Sequence, residues 1–178
     1  MIQRCRQFFH ALFAHPQAAE IAWARSLLSA EEMVLFSAMS PIDQCHALRV
    51  AHTAVRKAEA LPENLLPEQK HFLLRLALLH DVGRKRGDLG LWGKVAMVLL
   101  DAYLPRVLHA WAKKGAQGQR GMGFHMAHIY CHHAEIGYRL LKHIGDNAEA
   151  EVIRYHHHAL QTGDSLYLKL LRAADEEN

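Results

Sequence analysis

The sequence predicts an all-α fold, and three observations carry that expectation. Apolar residues recur at helical spacing along nearly the whole chain, alternating strand-type patterns are missing, and helix-start signals punctuate the runs. Taken in order, Arg4 and Arg6 precede Phe8, Phe9, Leu12 and Phe13. This reads as an amphipathic helix rather than a signal peptide, because His10 interrupts the apolar part and no small-residue cleavage site follows. Ser29 with Glu32 three residues later is a capping box. Ser40, Pro41 and Asp43 form a second start, with proline at the first helical position. The helix after it carries Leu48, Val50 and Val55 and ends before Pro62. Pro67 opens another, with Phe72, Leu73, Leu76, Ala77, Leu79 and His80 at helical spacing and Gly83 as its stop.

From Leu89 to Ala112 the chain reads as an apolar helix kinked at Pro105. Gly115, Gly118, Gly121 and Gly123 read as a flexible connection. A helix follows from about Met126, continuous or broken near His133, and runs to Ile144 with Gly145 as its stop. Asp146 or Asn147 caps the next, which reaches Tyr155. A last helix follows Gly163 and contains Leu166, Leu168, Leu170 and Leu171. These elements are expected to form one helical domain over residues 39–178, with a basic, apolar helical insertion at about 84–124. Residues 1–38 are expected to be a helical extension packed on it.

The totals narrow the function classes. Apolar residues make up 51% of 178, enough for a sizeable core, and no repeats or low-complexity runs suggest a solenoid or disorder. Arg75 and Asp101 interrupt the most apolar runs, so a membrane-spanning helix is not expected. Cys5, Cys45 and Cys131 are odd in number and contain no CxxC pair, which favours a reducing cytoplasm over a disulfide framework or a zinc knuckle. The net charge of +3 is unevenly placed. Residues 84–120 hold eight basic side chains against Asp88 and Asp101, a net +6. That reads either as a solvated helix face or as attraction for an anionic substrate or lipid surface. Long nucleic acid is not expected, because few aromatics are interleaved with the cations. The glycine-rich segment is no phosphate cradle: GxxxxGK[ST] is absent and no strand precedes it.

Fifteen histidines are the most unusual total, so the question is which sit where a metal could be. His80-Asp81 ends an apolar helix and offers one nitrogen and one carboxylate. Alone, the pair reads equally well as a helix end with a part-buried histidine. Four further segments change that: His46 one turn before Val50, His133 ahead of Glu135-Ile136-Gly137, the run His156-His157-His158, and Asp175 on an otherwise apolar terminal helix. Gly137 is expected to admit a close neighbour.

Together and in this order, these segments resemble the HD-domain superfamily of metal-dependent phosphohydrolases. "HALRVA" looks like that family's first-histidine helix, "ALLHDVGR" like its "LLHDIGK" signature, "HAEIG" like "HPEIG", and "VIRYHHH" like "AIRYHH". The resemblance covers about residues 41–176. The ending is closer to the symmetrical diadenosine tetraphosphatase branch, and the "GYP" of the cyclic-di-nucleotide branch is absent. The resemblance implies an HD-domain helical bundle with a first ion on His46, His80, Asp81 and Asp175. If a second ion binds, Asp81 bridges and His133, His156 and His157 supply nitrogens. His46 matches better than His52, and His133 better than His132, which remains the alternative. Fe, Mn, Zn, Co or Ni suits such a ligand set, with Mg also admitted.

The implied activity is hydrolysis of a nucleotide or other phosphate ester, with Asp81 and Arg84 as catalytic residues and Arg84 and Lys85 on substrate phosphate. Arg84 replaces the family's lysine, so a charge is kept but a dissociable proton is not. The competing reading is a nucleotide sensor without turnover. A homodimer and a peripheral membrane contact through residues 89–114 stay open.

Overall fold

The computed structural model describes residues 15–159 and 161–178. The amphipathic helix expected around Phe8 to Phe13 lies outside the described residues. Within them the chain is all-α: nine helices and no strand. They are α1 (Ala18–Leu27), α2 (Ala30–Ala38), α3 (Pro41–Glu59), α4 (Pro67–Leu79), α5 (Leu91–Tyr103), α6 (Pro105–Ala116), α7 (Met122–His143), α8 (Asn147–Arg154) and α9 (Leu166–Asp175).

The start signals act as expected where a side chain can satisfy an orphaned backbone N–H. Ser29 and Glu32 form a reciprocal box at α2, and the Ser40 hydroxyl accepts from the Asp43 N–H at α3. The Ser165 hydroxyl likewise accepts from Leu168 at α9. Asp146 occupies the N-cap of α8 but makes no side-chain cap. Its carboxylate is turned to Arg75 instead.

Three expectations are corrected. Pro105 does not kink one helix; it separates two. Proline lacks the N–H that would continue the ladder and pushes the preceding residue out of the α region, and Leu104 sits at φ −137, ψ 52. The glycine segment is not one long connection. Gly115 lies inside α6 and Gly123 inside α7, and both mark close packing between those helices. A Cβ on Gly115 would meet the Phe124 carbonyl oxygen at 2.2 Å, and one on Gly123 would meet the Trp111 ring at 3.0 Å. Helix α7 accordingly starts at Met122, not near Met126, and runs unbroken past His133. Finally, α4 ends at Leu79 and His80 caps it, so the stop comes before Gly83.

Gly83 is needed for a different reason. A Cβ there would meet the His133 carbonyl oxygen at 2.0 Å and the Gly137 nitrogen at 2.9 Å. The turn after α4 therefore lies directly on the backbone of α7; a Cβ on Gly137 would only reach ordinary van der Waals contact with Gly83 and Val82, so Gly83 is the glycine the close approach requires. This contact brings the His80-Asp81 turn against His133.

The core has two parts. The larger unites α1–α4 with α8, α9 and the end of α7, through Phe36, Leu48, Leu73, Leu76, Leu79, Leu141, Ile153 and Leu171. Ala24, Leu28, Phe36 and Met39 bring residues 18–39 into it. The smaller is built by the 84–124 segment and the first half of α7, from Leu89, Met97, Leu108, Ala112, Ala127 and Ile129.

Candidate metal centre

Five elements deliver the site. Helix α3 brings His46, the end of α4 brings His80 and Asp81, and α7 brings His133. The turn after α8 brings His156 and His157, and the end of α9 brings Asp175. Two groups result whose ligand atoms lie within 4.8 Å of one another: His46, His80 and Asp175, and Asp81, His133, His156 and His157. His80 and Asp81 are adjacent and join them, with His80 Nε2 at 3.5 Å from Asp81 Oδ2 and 3.6 Å from Asp175 Oδ1. His46 Nε2 is 2.9 Å from Asp175 Oδ1, and His133 Nε2 is 3.3 Å from Asp81 Oδ1.

The ring orientations are set by backbone. His80, His133 and His156 each donate Nδ1–H to the carbonyl three residues back, those of Ala77, Tyr130 and Ile153. This fixes the ring orientation and turns each Nε2 inward, the arrangement in which a second partner holds a metal-ligating histidine. On His133 and His156, whose pKa values burial lowers, that nitrogen carries a lone pair. His80 Nε2, Asp81 Oδ1 and His156 Nε2 are buried and make no hydrogen bond among the described residues. Buried polar atoms are otherwise nearly always satisfied. Three such atoms within one cluster, one from the first group and two from the second, with imidazole and carboxylate chemistry, fit transition-metal binding.

The electrostatics divide the cluster. Burial pushes the His80 pKa down, but the Asp81 and Asp175 carboxylates more than compensate and raise it to about 9. Burial alone would raise Asp81; the charges of Arg84 and the neighbouring histidines hold it well below the usual carboxylate range. Asp175 is likewise held low against its burial by the hydrogen bond from His46 and the close approach of the His80 ring. On the other side burial, with His157 and His80 nearby, lowers His156 to about 3. Burial and Arg84 lower His133, and burial also lowers His157. The second group is thus a set of neutral imidazoles, the form that donates a lone pair.

Arg84 points into this group rather than outward. Its Nη1 donates to Asp81 Oδ2 at 2.7 Å and its Nη2 to His133 Nε2 at 2.9 Å. His157 Nε2 approaches the same His133 nitrogen at 2.7 Å, so two nitrogens crowd one lone pair. Lys85 is exposed; its backbone N–H donates to Asp88, and no side-chain contact joins it to the cluster among the described residues.

Of the other histidines, His132 is exposed, lies against His128 at 5.0 Å and is outside both groups. His52 stacks on Trp23 at 4.5 Å. Sequence reasoning missed the cleft beside His157, lined by Cys131, His132, Glu135, Arg154, Tyr155 and His158. Its walls come from two elements about twenty residues apart, and no local pattern marks it. Searches with the chain match no family model, no curated protein and no solved structure.

Proposed function

We propose that the protein is a metal-dependent phosphohydrolase of the HD-domain type, acting on a nucleotide or other small phosphate ester. The observation that carries this reading is the clustering of His80, Asp81 and His156 atoms that are buried and unsatisfied, on rings oriented by backbone carbonyls. A nucleotide sensor without turnover needs no such cluster of buried, unsatisfied imidazole and carboxylate atoms.

In this reading His46, His80, Asp81 and Asp175 hold the ion, and His133, His156 and His157 flank it with further lone pairs. A divalent transition metal there would supply Lewis-acid polarisation of a phosphoryl oxygen and acidify water at neutral pH. The chain's own residues do the rest. The carbonyls of Ala77, Tyr130 and Ile153 keep the imidazoles turned with Nε2 inward. Asp81, ionised throughout the physiological range, contributes negative charge between the two groups. Arg84 lies beside Asp81 as a fixed cation that never releases its proton, suited to balancing charge that develops on phosphate oxygens. The cleft next to His157 is open and of mixed polarity, and Arg154 on its wall, paired with Glu135 and stacked on Tyr138, is the guanidinium nearest to a further phosphate there.

The test is elemental analysis of protein purified without a metal-affinity tag, followed by assay on nucleotide and phosphate-ester substrates with added Mn, Fe, Zn, Co or Ni. Bound metal and turnover lost in a folded Asp81→Ala variant are expected. Absence of metal, no gain in thermal stability on adding any of these ions, or unchanged turnover in that variant would refute the reading.

A further inference from the structure

Helix α5 is turned inside out. Only Met97 on it is buried. At about 100° per residue, the arc opposite Met97 carries Trp92, Val95, Ala96, Leu99, Ala102 and Tyr103, none of them charged. Trp92 is 79% exposed, Leu99 52% and Tyr103 77%. The two charged residues of the helix lie on the Met97 side: Lys94 is half-buried against the protein, and Asp101 is exposed at the edge of that side. Lys94 pairs with Asp43 of α3, and Asp101 accepts from the Tyr130 hydroxyl of α7 at 3.2 Å. A helix of a water-exposed surface places its charges the other way round. The apolar surface continues across the corner between α5 and α6 through Leu104 and Val107. That is a contiguous patch, not the scattered exposure any surface shows.

The surroundings are cationic. Arg86, Arg106, Lys113, Lys114 and Arg120 are all exposed, and none has a carboxylate partner among the described residues. On α6, Leu108 and Ala112 are buried, while Arg106 and Lys113 fall on the opposite arc. An uncharged helix face with Trp and Tyr near its two ends, bordered by lysine and arginine, matches the chemistry of an interfacial helix on anionic lipid. A second copy fits poorly, because self-pairing would bring together two sets of exposed cations without carboxylate partners, Arg106, Lys113 and Lys114 on each hairpin. No helix among the described residues is long and apolar enough to cross a membrane, so the contact is peripheral.

We propose that the α5–α6 hairpin docks the protein on an anionic phospholipid surface, with Trp92, Leu99 and Tyr103 entering the headgroup region and Arg106, Lys113 and Lys114 meeting lipid phosphates. The inference does not depend on the metal centre.

The full chain is floated with vesicles of phosphatidylcholine alone or with one-third phosphatidylglycerol, at low salt (about 0.05 M) and high salt (about 0.5 M). Binding to the anionic vesicles is expected, weakened about tenfold or more on neutral vesicles or at high salt. Leu99→Glu and the double variant Lys113→Glu/Lys114→Glu should each weaken it about tenfold with an unchanged melting temperature, since these side chains are exposed. Loss of the Trp92 contribution in Trp92→Phe should remove the lipid-induced blue shift of tryptophan emission. Failure to float with the anionic vesicles overturns the proposal, as does equal binding by Leu99→Glu. Sedimentation at the same salt reads the alternative: a dimer that Leu99→Glu dissolves, with no flotation, assigns the face to a second copy instead. Metal content is measured on every variant, so failure of the metal centre and of lipid docking are read separately.

Discussion

Two side chains at the residue scale have consequences that can be measured directly. Arg84 puts one guanidinium on both Asp81 and His133, where a second ion would need those atoms. Arg84→Ala clears that position. We expect it to raise the metal bound per chain, or to tighten the weaker site, while the turnover proposed above falls. Elemental analysis and isothermal titration of the variant against wild type read this. An unchanged stoichiometry would show that the arginine does not stand in the second ion's place.

Asp146 is the other. Burial and the nearby Glu32 charge raise its pKa to about 6, against the opposing pull of Arg75, and its Oδ2 is buried without a hydrogen bond. A carboxyl whose folded pKa exceeds its ordinary value of 3.8 adds stability that is fully present below about pH 4 and lost as pH rises through about 6. Asp146→Asn keeps a good N-cap residue and removes that titration. Its melting temperature should match wild type near pH 4 and be equal or higher at pH 7.5. A variant clearly less stable at pH 7.5 would mean that the ion pair with Arg75 outweighs the burial.

Among the elements, the contact between the turn after α4 and helix α7 is the most constrained. Gly83 presses on the His133 carbonyl and on Gly137 without room for a methyl group. Gly83→Ala must move one backbone away from the other, at a cost of about 1–3 kcal/mol. The same displacement carries Asp81 and Arg84 away from His133. Both a lower melting temperature and weaker metal binding are expected, whereas Gly163→Ala, where nothing lies within 4 Å of a Cβ, serves as the neutral control. Helix boundaries were legible where a cap had a side-chain signature, as at Ser29 and Ser40. Pro105 was visible, but whether it bends a helix or divides two depends on whether the next helix has something to pack on. Here Leu108 and Ala112 bury against α7 and set the new axis. Gly115 and Gly123 misled for a related reason: a glycine that admits a neighbouring helix looks, in sequence, like one that makes a turn.

For the whole molecule, the ligands of the centre come from α3, α4, α7, the turn after α8, and α9, so an ion there ties together most of the larger core. Binding only the folded state at about a hundredfold over its dissociation constant adds about 2.7 kcal/mol. In a chain of this size that corresponds to a rise in melting temperature of roughly 5–10 °C. Thermal melts with and without chelator should show this shift, reversed on adding metal back. No shift would mean the ligand set holds no ion in solution. Arg75 joins distant parts without metal: it pairs with Glu32 of α2, Asp146 and Glu149. In the sequence it merely interrupts an apolar run, because its partners are 43 and 71 residues away.

By itself the sequence determined the all-helical class, the starts that carry their own caps, and the residue types of the centre in their order along the chain. Those are local properties, written in spacing and in side-chain chemistry. Tertiary structure alone decided that His46 meets Asp175 across 129 residues, that His133 and not His132 faces inward, and that Arg84 turns into the cluster. It also decided that α5 presents its apolar arc outward. Helical periodicity shows that a helix has two faces. Which face is covered depends on what the rest of the chain places against it, and only Met97 of α5 found a buried place there.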